Sequence, residues 1–520
     1  MTDSTVLITA VPYQFPAKLE SAASKTVKLF RSLPYRQREQ RGPLDMLKEV
    51  VQHPTSTSAS TSIQYNYLVS LQFQSKAQTK MPPKVPTILL LGTCDTKLPE
   101  LLYTKSQIES TNARVLLMDI GRNPTTDEQI NIPQSALINP SPSTPTQFRI
   151  PDLTTLPRAE YITTLTPYAT KKVTNLHETN QIHGILSIGG SCGTSLAAAV
   201  MRDALPVGFP KLLVSTMASG DVGPYIGETD ISMMYSVVDI AGRNCVLDGV
   251  LDNAAGGIVG MARMFLGRVE RGRDEKQKQK AKEEEDHVSV FRVRIGISMF
   301  GVTTPGVTRA RERLEEVLAG CEVYVFHATG SGGRALERLV REGWIDAVLD
   351  LTTTEIADEV VGGVLSAGDG RLIAGMRDIP RVVSVGACDM VNFGEVGSVP
   401  VAFREAGRLF HEHNATVTLM RTTKKECADI GVFIARNLLG NLRDKGQLRQ
   451  TKVILPVGGV SMLDVPGQPF HDPEADEVLF STLERELEGS GIPVVRDARD
   501  INDPDFAVAV ADELIKLIRS

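Results

Sequence analysis

The sequence has few of the residues that mark zinc-binding, secreted or nucleic-acid-binding proteins. Its six cysteines never form a Cys-x-x-Cys pair, which argues against a zinc site and against a disulfide framework. Aromatic residues make up only 5% of the chain, with a single tryptophan, and the formal net charge is -6. Such a chain has no general attraction for nucleic acid and no obvious base-stacking surface, so we expect no direct nucleic-acid partner.

Long hydrophobic runs are missing too. No apolar stretch is long enough to span a bilayer, and the first residues contain no compact apolar signal core. With 520 residues, 42% of them hydrophobic, the chain is long enough for two or three globular domains. We therefore expect a soluble protein with no membrane partner, in a reducing, cytoplasmic compartment.

Two common phosphate-binding motifs are absent, yet one stretch is typical of an anion site. Residues 183–196 read HGILSIGGSCGTSL, which predicts a strand, a glycine turn and the start of a helix. The stretch lacks the Gly-Lys-Ser/Thr of a Walker A loop and the spacing of a dinucleotide fingerprint. We expect a phosphate at the helix N-terminus; a tight turn that needs glycine only for packing is the alternative. The candidate residues are Gly189, Gly190, Ser191, Gly193, Thr194 and Ser195.

Polar residues also follow the other predicted strands of the first half, at 87–91, 114–119 and 211–215. Strands that alternate with helices predict a doubly wound parallel sheet, whose ligands bind beyond the carboxyl ends of the strands. Lys97 could contact a phosphate, and Asp95 could hold Mg²⁺ or accept a proton; a surface lysine and a loop-stabilising aspartate are the alternatives. The further candidates at this edge are Gly92, Thr93, Asp95, Lys97, Asp119, Ser219, Gly220 and Asp221.

The same pattern restarts in the second half, with a predicted strand at 290–299, a Gly-Thr turn at 301–306 and a Ser/Gly-rich loop at 327–333. This suggests two related folds. The predicted fold class is therefore α/β, with two Rossmann-like, doubly wound domains and mainly parallel sheets.

Candidates for acid/base chemistry collect at the strand ends of the second half. If that domain is doubly wound, Asp350, Glu355, His327 and Arg421 converge on one cleft that could act on a small anionic or carbonyl substrate. Taken singly, each of these residue types is more often structural than catalytic. The second-cleft candidates are Thr303, His327, Thr329, Ser331, Asp350, Thr353, Glu355, Asp389, Asn392 and Arg421.

A metal site is not expected. The tripeptide 411–413 is His-Glu-His, but residues two apart on a helix point in different directions, so we expect no chelate unless the helix ends before Asn414.

Changes in composition divide the chain into four parts. Residues 1–82 are basic and Ser/Thr-rich, which is typical of a disordered extension; a transit peptide, or an over-extended gene model with its start at Met81, is the alternative. The first Rossmann-like domain is placed at 83–268, with a surface excursion at 139–157. A charged linker is placed at 269–288, and the second domain at 289–520.

Several motifs, in a fixed order, carry a resemblance to a known family. They are GTCDTK (92–97), GGSCGT (189–194), SGDVG (219–223), FGVTTP (300–305), DMVNFG (389–394) and LMRTT (419–423). Together they resemble the ATP-binding domain family of the tomato mosaic virus resistance protein, which bacteria and fungi share. The resemblance covers roughly residues 83–520. Cys192 stands where that family leads us to expect glycine.

The resemblance implies two Rossmann-like subdomains, ATP as the ligand of the first, and self-association as a homo-oligomer, with a dimer the simplest case. In the plant protein this domain inhibits viral RNA replication by binding the viral replication protein. The plant chain continues into a barrel-like domain, which we do not expect within residues 83–520 of this chain.

We expect an ATP-binding protein of unassigned metabolic or regulatory role, with Mg²⁺ as a companion ion. A small-molecule enzyme is the alternative, ATP-dependent or a lyase or hydrolase, with its active site in the second-domain or interdomain cleft. An interaction scaffold is the third.

Overall fold

Two parallel β-sheets, each covered by helices on both faces, organise residues 85–138, 152–286, 292–373, 379–440 and 450–520, which the computed structural model describes. Only the helical backbone is described for residues 273–286. The predicted extension at 1–82 and most of the predicted excursion at 139–157 lie outside the described residues. The first lobe comprises residues 85–286 and the second lobe residues 292–520. The predicted α/β class with two mainly parallel, Rossmann-like domains is confirmed.

The first lobe is built on a sheet of strand order β2-β1-β3-β4-β5. Its strands are β1 (Thr87–Gly92), β2 (Arg114–Asp119), β3 (Gly184–Gly189), β4 (Lys211–Ser215) and β5 (Ser232–Tyr235). Its helices are α1 (Cys94–Ser110), α2 (Gln134–Ile138), α3 (Arg158–Glu178), α4 (Ser191–Ala204), α5 (Gly223–Ile226) and α6 (Cys245–Asp286). All neighbouring strands of this sheet run parallel.

The apolar run of β1 is explained by burial on both faces of the sheet. Leu89 and Leu91 pack with α3 and α4, whereas Ile88 and Leu90 pack with α1 and α6. A strand of a parallel sheet between two helix layers needs apolar side chains on both sides, so it does not alternate with polar residues.

The second lobe contains a parallel sheet of order β14-β13-β9-β8-β6-β7 and a small antiparallel sheet of order β10-β12-β11. Its strands are β6 (Arg294–Met299), β7 (Glu322–His327), β8 (Ala347–Thr352), β9 (Arg381–Gly386), β10 (Met390–Phe393), β11 (Phe410–Asn414), β12 (Val417–Arg421), β13 (Thr451–Pro456) and β14 (Val494–Asp497). Its helices are α7 (Thr304–Val317), α8 (Ser331–Arg341), α9 (Thr354–Val361), α10 (Val401–Glu405), α11 (Lys424–Leu439), α12 (Pro473–Leu487) and α13 (Pro504–Arg519).

The two parallel sheets share one topology. Read from its β7 edge, the second sheet has the order β7-β6-β8-β9-β13-β14. Its first five strands follow the same chain order as β2-β1-β3-β4-β5 of the first sheet, and β14 is added at the far edge. By this order β6 corresponds to β1, β7 to β2, and β8 to β3. The counterpart of the glycine turn after β3 is therefore the turn after β8, Thr353-Thr354-Glu355, and not the Ser/Gly-rich loop after β7.

Helix α6 runs through most of the predicted linker, because it continues to Asp286. Its part Cys245–Gly272 has the length and apolar composition of a membrane span, with a mean hydropathy of 1.2 over the best window. Leu251, Ala255, Ile258 and Ala262 on one face of this helix are buried against the first sheet. A core helix passes the same test of length and composition, so this helix is weak evidence for a membrane span.

Candidate functional site

A cleft of about 350 Å³ opens at the carboxyl edge of the first sheet, beyond the ends of β1, β2 and β3. The chain leaves β1 toward β2 on one side and returns to β3 on the other, so β1 and β3 flank the topological switch point of the sheet. Ligands of open α/β sheets bind at this point. The cleft is lined by Thr93, Asp95, Thr96, Lys97, Arg122, Asn123, Arg158, Tyr161, Gly190, Ser191, Cys192 and Gly193.

Two long helices begin at this cleft without a side-chain cap. Helix α3, with 21 residues, follows Pro157, and helix α4, with 14 residues, follows Gly190; neither residue before the helix caps it with a side chain. The first N–H groups of a helix have no partner within the helix and carry partial positive charge. In the second lobe, Thr423 and Asp472 accept hydrogen bonds at the starts of α11 and α12, whereas the residues before α7, α8 and α9 do not cap their helices with a side chain. The cleft therefore contains two helix N-termini suited to an anion.

Three basic side chains line the same cleft. Lys97 was expected there, whereas Arg122 and Arg158 were not singled out from the sequence. Arg122 donates from Nε to the carbonyl oxygen of Leu153, at 3.4 Å, and from Nη2 to that of Leu156. It thereby fixes the segment that leads into α3 and places cationic charge at the N-terminus of that helix.

Asp95 lines the cleft, whereas the predicted residue Asp119 is buried at the end of β2 and does not line it; each carboxylate leaves one oxygen without a partner among the described residues. Asp95 Oδ2 accepts from Arg122 N at 3.1 Å and Asn123 N at 3.0 Å, but its Oδ1 has no partner there. Asp119, which is 0% exposed, accepts with Oδ1 from Gly121 N at 2.7 Å, and its Oδ2 is the orphan. Burial raises the pKa of Asp119. A Cβ on Gly121 would lie 2.6 Å from Asp95 Oδ1 and 2.9 Å from Asp119 Oδ1, so only glycine lets these carboxylates approach.

Orphaned carboxylate oxygens beside helix N-termini that suit an anion match the ligands that Mg²⁺ prefers. Mg²⁺ usually binds through one or two carboxylates together with phosphate oxygens and water. Asp95 is the carboxylate that fits this chemistry, because the residue lines the cleft and its Oδ1 has no partner among the described residues. Among the described residues no group of three or more metal-ligating side chains occurs, so an ion here would need ligands from a phosphate or from water.

Several predicted residues shape the glycine turns without lining the cleft. Gly92 and Gly189 are the last residues of β1 and β3. Thr194 is buried, and its Oγ1 lies 2.6 Å from Ser215 Oγ, which ties α4 to the end of β4. Ser195 Oγ donates to the carbonyl oxygen of Ser191 at 2.9 Å.

The predicted loop Ser219-Gly220-Asp221 is exposed and is not among the residues that line the cleft. Asp221 Oδ1 accepts from Gly223 N at 2.9 Å, at the start of the short helix α5. The loop follows the neighbouring strand β4, and the structure gives it a local turn-forming role.

Cys192 takes part in the wall of the cleft at the second residue of α4. Its thiol is half-buried, and burial raises its pKa. Cys94, one residue past Thr93, is fully buried, and burial likewise raises its pKa. Neither thiol has the depressed pKa of an activated nucleophile.

In the second lobe, Asp350 and Glu355 lie in one buried ionic cluster around Arg371. Arg371 donates to Asp350 with both terminal nitrogens at 2.7 Å and to Glu355 Oε2 with Nε at 2.8 Å. Glu355 Oε1 accepts from Gly330 N at 2.6 Å and Gly333 N at 2.9 Å. An internal carboxylate thus occupies the N–H groups at the start of α8. The expectation that Asp350 and Glu355 line an open cleft is wrong, because both are at most 1% exposed.

Asp389 and Arg421 belong to a second buried cluster. Arg421 Nη2 donates to Asp476 Oδ1 at 2.6 Å and Asp464 Oδ1 at 3.3 Å. Asp389 Oδ2 accepts from Ser461 Oγ at 2.8 Å, and its Oδ1 has no partner among the described residues. Burial, and then the negative charge of Asp464, raise the pKa of Asp389.

The remaining second-lobe candidates do not join these clusters into one site. His327 is exposed, and its ring stacks on that of Phe300 at a centroid distance of 5.5 Å. Thr303, Thr353 and Asn392 are buried and bonded to Thr352 Oγ1, Ser384 O and Asp358 respectively, whereas Thr329 and Ser331 lie in the loop and at the first turn of α8. The predicted convergence of Asp350, Glu355, His327 and Arg421 on one cleft is therefore wrong.

The residues at 411–413 form part of strand β11 rather than a helix. Alternation in a strand would place His411 and His413 on one face, but the pairing of β11 with β12 is irregular between Glu412 and Asn414. These residues therefore lie in a strand, to which the helical spacing does not apply.

Comparison with known proteins assigns both lobes to domain families. The N-terminal domain model of the uncharacterised protein family UPF0261 matches residues 86–266, and its C-terminal domain model matches residues 292–518. A UPF0261 protein of Clostridium tetani is 42% identical over 433 residues, which cover 83% of this chain and 98% of that protein.

Plant relatives match as well. The ToMV resistance protein Tm-1(GCR237) of Solanum lycopersicum is 43% identical over 343 residues, which cover 66% of this chain and 42% of the tomato protein. Among solved structures, MurG of Acinetobacter baumannii matches with a TM-score of 0.18 and 9% identity, over 83% of this chain and 99% of that chain, which is too weak a likeness to support any functional argument.

Proposed function

Because the chain belongs to the uncharacterised protein family UPF0261, whose description assigns no reaction, we propose from the cleft itself that the first lobe binds ATP through its phosphates. ATP is also the ligand that the resemblance in the sequence implies. The role we propose for the protein is metabolic or regulatory, in the cytoplasm and as a homo-oligomer.

The observation that carries this proposal is the convergence of two uncapped helix N-termini with three basic side chains on one cleft. The amides at Ser191 and Arg158, at the starts of α4 and α3, would stabilise an anion in the cleft together with the dipoles of these helices. Lys97, Arg122 and Arg158 add full positive charges. A polyphosphate satisfies both features, because it carries several negative charges along an extended chain.

Mg²⁺ would be held by Asp95, whose Oδ1 is orphaned, together with phosphate oxygens. The ion would neutralise phosphate charge beside a carboxylate that would otherwise repel it. We propose no catalytic role for Asp350 and Glu355 of the second lobe, because both carboxylates are paired with Arg371.

Gly190→Val tests the proposal. A Cβ at Gly190 would meet only Thr216 Oγ1, at 3.9 Å, so we expect the variant to fold and its side chain to narrow the cleft. We expect isothermal titration with Mg²⁺-ATP to show at least a tenfold loss of affinity, about 1.4 kcal/mol. Gly301→Val is the matched control, since nothing lies within 4 Å of a Cβ at that strand-end turn of the second lobe.

Titration with tripolyphosphate and with adenosine separates the two halves of the ligand. Binding of tripolyphosphate that Gly190→Val weakens would support phosphate recognition by this cleft. Absence of ATP binding by folded wild-type protein, with and without Mg²⁺, would refute the proposal.

A further inference from the structure

One arginine of the second lobe caps a helix of the first lobe. Arg338 of α8 donates from Nη2 to the carbonyl oxygens of Arg202, at 2.5 Å, and Leu205, at 2.9 Å. These carbonyls lie at the C-terminal end of α4, the helix whose N-terminus borders the cleft. Arg338 is only 8% exposed, so these bonds are shielded from water.

Helix α4 needs this cap because it ends without one of its own. Its last turn passes directly into extended backbone at Leu205, with φ -126 and ψ 133. Helix α9, by comparison, ends on Gly362 in the left-handed conformation, whose N–H donates back to Asp358 O. The last carbonyls of a helix carry partial negative charge, so a guanidinium is a well-matched partner.

The connection that follows α4 is clamped by the same region. Glu342, one turn beyond Arg338, accepts from Arg338 Nε at 2.7 Å and from Val207 N at 3.3 Å. Glu228 of the first lobe also pairs with Arg338, at 3.3 Å. The contact is therefore a connected network of charges across the two lobes rather than a single bond.

Helix α8 is equally well fixed within the second lobe. Glu337, the neighbour of Arg338, accepts from Arg371 Nη1 at 3.1 Å and from Leu372 N at 2.7 Å. Glu355 holds the N–H groups at the start of α8, as described above. A displacement of α8 would disturb this buried cluster, so α8 moves with the body of its lobe.

We propose that Arg338 is a positioning residue that couples occupancy of the first-lobe cleft to the second lobe. Helix α4 contributes N–H groups to the cleft at one end and is anchored by Arg338 at the other. A ligand that fixes α4 strengthens this anchor and, by linkage, loss of the anchor weakens ligand binding by the same factor. The inference rests on the proposed function, since it takes ATP as the cleft's ligand.

Hydrogen exchange of the full chain, with and without Mg²⁺-ATP, tests the coupling. In the wild type we expect ATP to slow amide exchange in both α4 and α8. In Arg338→Gln we expect protection in α4 alone, together with affinity reduced about fivefold or more. Arg341→Gln, an exposed position on the same helix, is the matched control and should behave as the wild type. Arg338→Lys keeps the charge but not the planar guanidinium, and it replaces Arg338→Gln in the same measurements if the glutamine variant does not fold.

The outcomes separate this inference from the function on which it rests. If ATP binds and protects α4 while α8 exchanges at an unchanged rate in the wild type, the coupling is refuted and the proposed function stands. Equal ATP affinity and equal α8 protection in Arg338→Gln would also overturn the coupling. If the wild type shows neither heat of binding nor protection anywhere, the proposed function falls and the coupling with it.

Discussion

The substitution Glu355→Ala would remove the carboxylate that accepts hydrogen bonds from the N–H groups at the start of α8. This side chain accepts from Gly330 N at 2.6 Å, Gly333 N at 2.9 Å and Arg371 Nε at 2.8 Å, all out of contact with water. Breaking a buried ion pair by deleting one partner costs about 3–5 kcal/mol. Arg371 keeps its bonds to Asp350, so we expect the lower end, a loss of about 3 kcal/mol in the free energy of unfolding.

The same variant should gain an anion site. The vacated space lies at the N-terminus of α8, between two backbone N–H groups and a guanidinium, and a small carboxylate such as acetate could replace the lost side chain. A ligand at ten times its Kd stabilises the folded state by about 1.4 kcal/mol. Acetate should therefore restore roughly half of the lost stability.

Urea unfolding measures both effects. The wild type, Glu355→Ala and Glu405→Ala, an exposed carboxylate of α10, would be compared in acetate and in chloride of equal ionic strength. We expect acetate to raise the unfolding midpoint of Glu355→Ala alone. A loss below about 1 kcal/mol, or equal effects of acetate on all proteins, would refute our view that this carboxylate replaces a bound anion.

Two further predictions concern single residues. Cys192 lines the cleft and Cys245 is exposed, so bound ATP should slow iodoacetamide labelling of Cys192 at least tenfold and leave the labelling of Cys245 unchanged. Mass spectrometry measures the labelling rate of each cysteine. Equal slowing at both cysteines would contradict the placement of ATP. Burial raises the pKa of Asp358 to about 7, so between about pH 4 and pH 7 the folded state keeps a proton that the unfolded state has released. The free energy of unfolding should therefore fall as pH rises through this range, by at most about 4 kcal/mol. Asp358→Asn should flatten this pH dependence, because the amide does not titrate; urea unfolding at pH 5 and pH 8 measures it. The new amide can be accommodated, since Asn392 Oδ1 has no partner among the described residues and can accept from it after a flip of Asn392. An unchanged difference between the two pH values would contradict the assignment.

The elements of the first lobe were predictable because parallel strands buried on both faces leave a strong apolar signal. The strands at 114–119 and 211–215 are confirmed at both ends, and the glycine turns were expected at the strand ends. Arg122 and Arg158 were missed for a different reason. Arg122 follows β2 by three residues and gave a weak local signal, whereas Arg158 reaches the cleft only because α3 packs back over the sheet.

The second lobe could not be interpreted correctly from local sequence. Asp350 lies near the carboxyl end of β8 and Glu355 in the first turn of α9, where polar ligand-binding residues are common, and nothing beside them indicates Arg371, which lies beyond α9. The ion pairs of Arg371 with Asp350 and Glu355 depend on tertiary packing, because the chain after α9 must return to the buried space beside α8. A similar limit applies to Arg421, whose partners Asp464 and Asp476 lie more than forty residues away.

The two lobes therefore use one topology in opposite ways. The first lobe leaves the helix N-termini at its switch point uncapped and surrounds them with basic side chains. The second lobe fills the corresponding edge with its own carboxylates and neutralises them with buried arginines. A ligand that entered the second lobe there would have to displace Glu355 or a partner of Arg421, at a cost of several kcal/mol before any contact is gained. An effect of ligand on the second lobe is thus expected to arise in the first lobe and to pass through contacts such as that of Arg338 with α4.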